Sequence, residues 1–271
     1  MPEARSGPVT VPNIRARKRK AGADPIVMVT AYDTPGARIA DAAGVDIILV
    51  GDSLANNVLG YEDTLQVTID DMVHHTAAVA RARPEALVVG DLPWLSYHLD
   101  AADTVRNGAA LIRAGAHAVK LEGGRIRVPM VEALVAAQIP VMGHLGLTPQ
   151  SVNAMGGYRV QGRGEAGDRL NVDAGALADA GCFALVLEGI PATLGASISD
   201  AQDVPTIGIG AGAGCDGQVL VFHDLLGLNT GKVPKFVRRY ADLAGEATAA
   251  IAAYAADVRA GTFPAESEVY A

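Results

Sequence analysis

Six short apolar runs punctuate the chain, and five lead straight into a residue able to hold a metal or move a proton. They are 47–50 before Gly51-Asp52, 86–89 before Gly90-Asp91, 118–121 before Glu122, 140–142 before Gly143-His144, 183–187 before Glu188, and 204–209 running into glycines. Apolar runs of this length with β-branched residues read as strands buried on both faces. Segments of helical period lie between most of them.

The full alternation starts with a strand over 26–31 and a helix over 35–43. A strand over 47–51 precedes a helix over 68–82, with Thr68 as N-cap and Asp70 and Asp71 in its first turn. A strand over 86–90 leads to a helix over 101–114 that Gly115 stops, and a strand over 118–121 to a helix over 129–137. Val141 and Met142 belong to a fifth strand. Residues 145–167, with six glycines, then read as one long loop, of the kind that is usually functional. Periodicity resumes in a helix over 172–180, then strands over 183–187, 205–209 and 219–222, and one or two helices over 233–259. Eight strands with helical crossovers close most naturally into an α/β (β/α)8 barrel, a TIM barrel. The expectation is a single domain over 1–271 with a basic N-terminal arm and a peripheral C-terminal segment.

Composition narrows the reading. A 271-residue chain suits one barrel, and 50% hydrophobic with only 4% aromatic residues implies a core of small branched side chains. A net charge of −8 argues against a nucleic-acid partner. The basic run from Arg15 to Lys20 reads as a solvated arm or first helix. Two cysteines, Cys182 and Cys215, make no disulfide framework, so a reducing cytoplasm is the default. No apolar stretch reaches the roughly 20 residues of a membrane span.

Polar groups at one end of parallel strands are how such a barrel builds an active site. Asp52 and Asp91 end neighbouring strands, where unpaired carboxylates are costly and repel each other. A divalent cation resolves that, and two carboxylates with room for waters suit Mg²⁺; pairing with Lys120 is the competing reading. Lys120 and Glu122 stand two apart on one strand and so point the same way. Lys120 fits a substrate carboxylate or a developing enolate, and Glu122 the metal, directly or through water; an internal ion pair competes. His144 fits a carboxylate or a backbone group. Glu188 ends a strand after apolar residues, and a partly desolvated carboxylate suits proton transfer near neutrality. The glycines of 208–214 lack the position and spacing of a dinucleotide fingerprint.

Several blocks together resemble the ketopantoate hydroxymethyltransferase family. They include Thr30-Ala31-Tyr32-Asp33, Val50-Gly51-Asp52-Ser53, Gly90-Asp91-Leu92-Pro93, Val119-Lys120-Leu121-Glu122-Gly123-Gly124 and Gly143-His144-Leu145-Gly146-Leu147-Thr148-Pro149-Gln150. They continue with Gly157-Tyr158-Arg159-Val160-Gln161-Gly162-Arg163, Leu187-Glu188-Gly189-Ile190-Pro191 and the 205–219 segment. The resemblance covers roughly residues 25–240. It implies a barrel of the phosphoenolpyruvate mutase and isocitrate lyase superfamily. It also implies a Mg²⁺-dependent transfer of the one-carbon unit of methylene-tetrahydrofolate to 3-methyl-2-oxobutanoate, within pantothenate and coenzyme A synthesis. By position it implies Asp52 and Asp91 as metal ligands and Glu122 as an outer ligand through water. Ser53, Lys120 and His144 become substrate-carboxylate holders, and Glu188 the base. It further implies a large homo-oligomer of ten or so subunits. The segment 61–66, His74-His75 and 213–215 depart from the family pattern without touching these residues. Two other readings are a lyase of the same superfamily, whose Lys-Lys-Cys-Gly-His type of loop is missing from the sequence, and a non-catalytic binding barrel.

Overall fold

The computed structural model describes residues 7–19, 22–231 and 233–270. Eight parallel strands close in sequence order into a barrel. They are β1 (Ile26–Thr30), β2 (Ile47–Val50), β3 (Leu87–Asp91), β4 (Ala118–Glu122), β5 (Val141–Gly146), β6 (Ala184–Glu188), β7 (Thr206–Ile209) and β8 (Gly217–Leu220). Closure runs through β1 and β8, with Met28 opposite Val219. The helices are α1 (Val11–Arg15), α2 (Thr34–Ala42), α3 (Ile69–Ala80), α4 (Ala101–Arg113), α5 (Val128–Ala136), α6 (Val152–Met155), α7 (Glu165–Asp179), α8 (Ala192–Ala201), α9 (Phe222–Leu225) and α10 (Leu243–Ala260). Chain contacts group into two compact units, Met1–Val221 with the barrel and Phe222–Ala271 with the last two helices. No helix among the described residues is long and apolar enough to cross a membrane.

Strand parity positions the site. Met28, Leu49, Leu87, Val89, Ala118, Met142, Ala184, Val186 and Ile207 share one buried cluster, the barrel interior. Alternate residues of a strand face the same way. Asp91 therefore follows Leu87 and Val89 inward, Lys120 and Glu122 follow Ala118, His144 follows Met142, and Glu188 follows Ala184 and Val186. Apolar layers fill the lower barrel and polar groups its carboxyl-terminal mouth.

The opposite end is plugged. Ile14 of α1 is fully buried in the same cluster, and Thr10 and Asn13 form a capping box that starts this helix. Burial of one such side chain contributes about 1.5–3 kcal/mol. Beyond it, Lys18 is buried, with Nζ 2.5 Å from Asp216 Oδ2 and donating to Ser199 O at 2.8 Å. Arg17 pairs with Asp46 at 2.5 Å. The basic run is therefore divided: Arg15 closes the first helix and is exposed, whereas Arg17, Lys18 and Arg19 are not a solvated arm but have partners at the base of the barrel. Lys20 lies outside the described residues.

Local differences from the sequence reading have simple causes. Helix α7 begins at Glu165 instead of Val172, because its first turns are polar and mostly solvent-facing. Strand β8 is Gly217–Leu220 instead of 219–222. A Cβ at Gly217 would stand 2.4 Å from Ile26 O, so glycine is what lets β8 close on β1. Helix α8 carried no sequence signal that singled it out. The last helix starts at Leu243, where Asp242 accepts from Gly245 N–H as N-cap. The 145–167 stretch is partly ordered: β5 runs on through Gly146, a 3-10 turn spans Pro149–Ser151, and α6 follows.

Candidate active site

Asp52, Asp91, Lys120, Glu122 and His144 are all buried at the barrel mouth. Lys120 Nζ lies 2.7 Å from Asp91 Oδ1, and Asp91 Oδ2 accepts from the Asp52 N–H at 3.1 Å. His144 is held between two carboxylates: Nδ1 lies 3.2 Å from Glu122 Oε1, and Nε2 lies 3.2 Å from Glu188 Oε2. The Lys120 ammonium stands 3.3 Å from the same Nδ1. Glu188 keeps 16% of its side chain exposed, so it is the member of the group open to an incoming molecule. Gly146 lets the chain pass there, since a Cβ at its φ of +95° would stand 2.2 Å from Glu188 O.

Burial sets the electrostatics. It pushes the Asp52 carboxyl well above the usual range, and the neighbouring charges of Asp91 and Glu122 add to that. It also raises Asp91, which Lys120 offsets only in part. For Glu122 burial acts in the same direction but is outweighed by His144, Lys120 and the Gln150 backbone, and the carboxyl ends below its ordinary value. Burial and Lys120 push His144 down, but Glu122 and Glu188 outweigh them and hold it at about 9. Lys120 is likewise raised, burial being overcome by Asp91, Glu122 and Asp52. Three buried carboxylates thus face two buried cations. A divalent cation would relieve that excess, so the donor set fits one. Among the described residues no three His, Cys, Asp or Glu side chains form a ready-made cage. Mg²⁺ is commonly held by one or two carboxylates, with waters and substrate oxygens completing the shell.

Ser53 sits beside this group, half-buried, its Oγ 2.9 Å from the Tyr32 hydroxyl. Thr30 donates to the same hydroxyl at 3.0 Å. Glu122 has partners on both oxygens, because Gln150 N–H donates to its Oε2 at 3.0 Å. The Gln150 side chain donates to Asp52 Oδ2 at 2.8 Å. Sequence reasoning missed Tyr32, Tyr97 and Gln150 as site members. Their motif blocks were visible for Tyr32 and Gln150, but nothing local says that an uncharged side chain turns toward carboxylates on other strands. The Tyr158 phenol is pushed up, by burial first and then by Asp63, Asp52, Glu188 and Glu122, so the 156–164 loop lies within electrostatic reach of the site. Arg159 and Arg163 are exposed. Neither cysteine serves the site: both are free and buried, and burial pushes the Cys182 thiol up to about 12.

Known proteins resemble this chain over most of its length. The family model described as ketopantoate hydroxymethyltransferase matches residues 8–266. A 3-methyl-2-oxobutanoate hydroxymethyltransferase of Methylobacterium sp. (strain 4-46) is 61% identical over 263 residues, 97% of this chain and 91% of that protein. One from Moorella thermoacetica (strain ATCC 39073 / JCM 9320) is 58% identical over 258 residues, 94% of this chain and 95% of that protein. Among solved structures, 2,3-dimethylmalate lyase, a PEP mutase/isocitrate lyase superfamily member, aligns with a TM-score of 0.61 at 20% identity, covering 93% of this chain and 89% of that one. Phosphonopyruvate hydrolase in complex with oxalate and Mg²⁺ aligns with a TM-score of 0.61 at 14% identity, covering 97% and 92%. At these identities the structural likeness speaks for the fold alone.

Proposed function

The chain belongs to the ketopantoate hydroxymethyltransferase family, and we propose that its barrel mouth transfers the one-carbon unit of methylene-tetrahydrofolate to 3-methyl-2-oxobutanoate in the following way. The observation that carries this reading is the His144–Glu188 contact, set beside a cluster of buried carboxylates with an excess of negative charge.

Asp52 and Asp91 would hold Mg²⁺, with Glu122 reaching it through a water. Mg²⁺ would supply Lewis-acid polarisation of the substrate's keto oxygen. Ser53, Lys120 and His144 orient the substrate carboxylate, His144 through its enclosed positive charge, since its two nitrogens face Glu122 and Glu188. Glu188 takes the proton from the carbon beside the ketone, and its partial exposure lets substrate reach it. A base so placed is worth about 10²–10⁴-fold. Lys120 stabilises the negative charge that develops on oxygen, which is usually the larger effect. The enolate carbon then bonds to the folate-borne methylene carbon, an electrophile that early water would destroy, as the ketone re-forms; one water afterwards supplies the hydroxyl group while the methylene–nitrogen bond breaks and tetrahydrofolate leaves with that nitrogen protonated. The 156–164 loop, with Arg159 and Arg163, excludes water at that stage.

The protein acts on small molecules, and a homo-oligomer is the working form. Helix α10 supports this: it is rich in alanine and has no buried residue, with Ile251 67%, Tyr254 55% and Val258 46% exposed. An apolar helix of this kind is stabilised by tertiary or quaternary cover. Two free buried thiols suit a reducing cytoplasm.

One proton NMR time course in D₂O tests the whole. Protein, Mg²⁺, 3-methyl-2-oxobutanoate and methylene-tetrahydrofolate should yield hydroxymethyl signals that EDTA abolishes. Methine exchange without product would keep the enolising site and remove the folate assignment. No change from a folded sample would overturn the reading.

A further inference from the structure

One buried amide ties together segments that follow four different strands. Gln150 is the middle residue of the 3-10 turn after β5 and is 5% exposed. Its Nε2 donates to Asp52 Oδ2 at 2.8 Å and to Leu92 O at 3.0 Å. Its Oε1 accepts from the Tyr97 hydroxyl at 2.6 Å. Its backbone N–H donates to Glu122 Oε2 at 3.0 Å.

The direction of each bond is forced. A backbone N–H can only donate, so the 3.1 Å contact from Glu122 N makes the Tyr97 oxygen an acceptor. The phenol has one proton, and it goes to Gln150 Oε1. A backbone carbonyl can only accept, so Leu92 O selects the NH₂ end of the amide. Leu92 O therefore assigns the NH₂ end of Gln150, and turning the amide over would lose the bonds to both Leu92 O and Asp52 Oδ2. Tyr97 is itself fixed: it is fully buried, and the Arg127 guanidinium lies 5.4 Å from its ring centroid.

We infer that Gln150, oriented by Tyr97, is a positioning residue for Asp52, clamping Oδ2 so that the carboxylate presents Oδ1 to a divalent cation. The inference rests on the proposed metal role of Asp52. A carboxylate on a short side chain can rotate about its last bond; a neutral donor on one oxygen removes that freedom without competing for the metal. Hydrogen-bond partners of this kind shift metal affinity by about 10–100-fold. The same residue begins the segment that runs to α7, so the carboxylate and the loop share one anchor.

The test is Mn²⁺ affinity of the purified full chain, read from the electron paramagnetic resonance signal of free Mn²⁺, with circular dichroism to confirm folding. Gln150→Leu removes the side-chain donors but keeps the backbone N–H on Glu122. It should weaken Mn²⁺ binding by roughly tenfold or more. Tyr97→Phe keeps the ring and its contact with Arg127 but removes both the proton that Gln150 Oε1 accepts and the oxygen that accepts from Glu122 N–H; it should weaken binding by a smaller factor. The double variant should lose less than the two single losses combined, because the bond between Tyr97 and Gln150 is shared by both changes. Mn²⁺ affinity of folded Gln150→Leu within about twofold of wild type would overturn the inference; a role confined to packing would lower the melting temperature and leave the affinity alone. Should Gln150→Leu fail to fold, unchanged affinity in Tyr97→Phe overturns it. Failure of wild type itself to bind Mn²⁺ would remove the metal reading of the site, a separate result that takes the inference with it.

Discussion

His144 Nε2 lies 3.2 Å from Glu188 Oε2, at the point where the buried charges of the barrel meet the open mouth. The imidazole's other nitrogen faces Glu122, so the ring fixes Glu188 from the protein side. In the proposed reaction the exposed part of the Glu188 carboxylate is what meets the substrate.

Glu188→Gln keeps the shape of the side chain but cannot accept a proton from carbon. Exchange of the substrate's methine hydrogen with D₂O should fall by about 10²–10⁴-fold. Substrate affinity, read by calorimetry, should change little. Exchange at the wild-type rate would assign the base elsewhere.

Asp52 and Asp91 should respond with opposite signs in the absence of metal. Asp52 is crowded by like charges, so Asp52→Asn relieves repulsion and should leave the metal-free protein as stable or more so. Asp91 pairs with buried Lys120, and Asp91→Ala leaves that ammonium without its nearest partner, a change of a class that costs about 3–5 kcal/mol. Mg²⁺ should raise the melting temperature of the wild type, and both variants should lose that rise. A full Mg²⁺ response in either would remove that residue from the metal site.

Removing residues 156–164 should separate the two halves of the reaction. Proton abstraction needs only the barrel mouth, whereas transfer needs water kept out. Methine exchange should persist while hydroxymethyl product drops, and the ratio of the two rates from one NMR sample reads the effect. Unchanged product formation would show that the segment is not a lid.

His117 carries a pH dependence unrelated to catalysis. Its Nδ1 accepts the Val88 N–H at 3.0 Å, a role open only to the neutral ring, and burial lowers its pKa below the usual value. The unfolded chain therefore takes up the proton first as pH falls. The stability this contact contributes is complete above the ordinary histidine range and is lost as pH drops through it toward the lowered value. His117→Asn can accept the same bond without titrating. Its urea midpoint should fall less than that of wild type between about pH 7.5 and pH 5.5; equal losses would refute the assignment.

The barrel was legible because a strand buried on both faces has to be a short apolar run, and the polar residue after each run marks the same end of every strand. That alone lined up Asp91, Glu122, His144 and Glu188 as neighbours. It could not say which charges pair. Lys120 goes to Asp91 and His144 spans Glu122 and Glu188, a choice set by barrel register, which places Asp91 beside Lys120 and Glu122 beside His144. The basic run at 15–20 misled for a related reason: a lysine looks solvated until its partner, Asp216, arrives from the far end of the chain.

Strand order, the inward parity of Asp91, Lys120, Glu122, His144 and Glu188, and the family of the chain were thus determined by the sequence itself, since all three depend on local periodicity and residue identity. The fully partnered Glu122, the plug around Ile14 and Lys18, and the amide of Gln150 turned onto Asp52 were decided only by the closed barrel. Each depends on contacts between residues distant in the chain, and only ring closure brings those residues within hydrogen-bond or van der Waals distance.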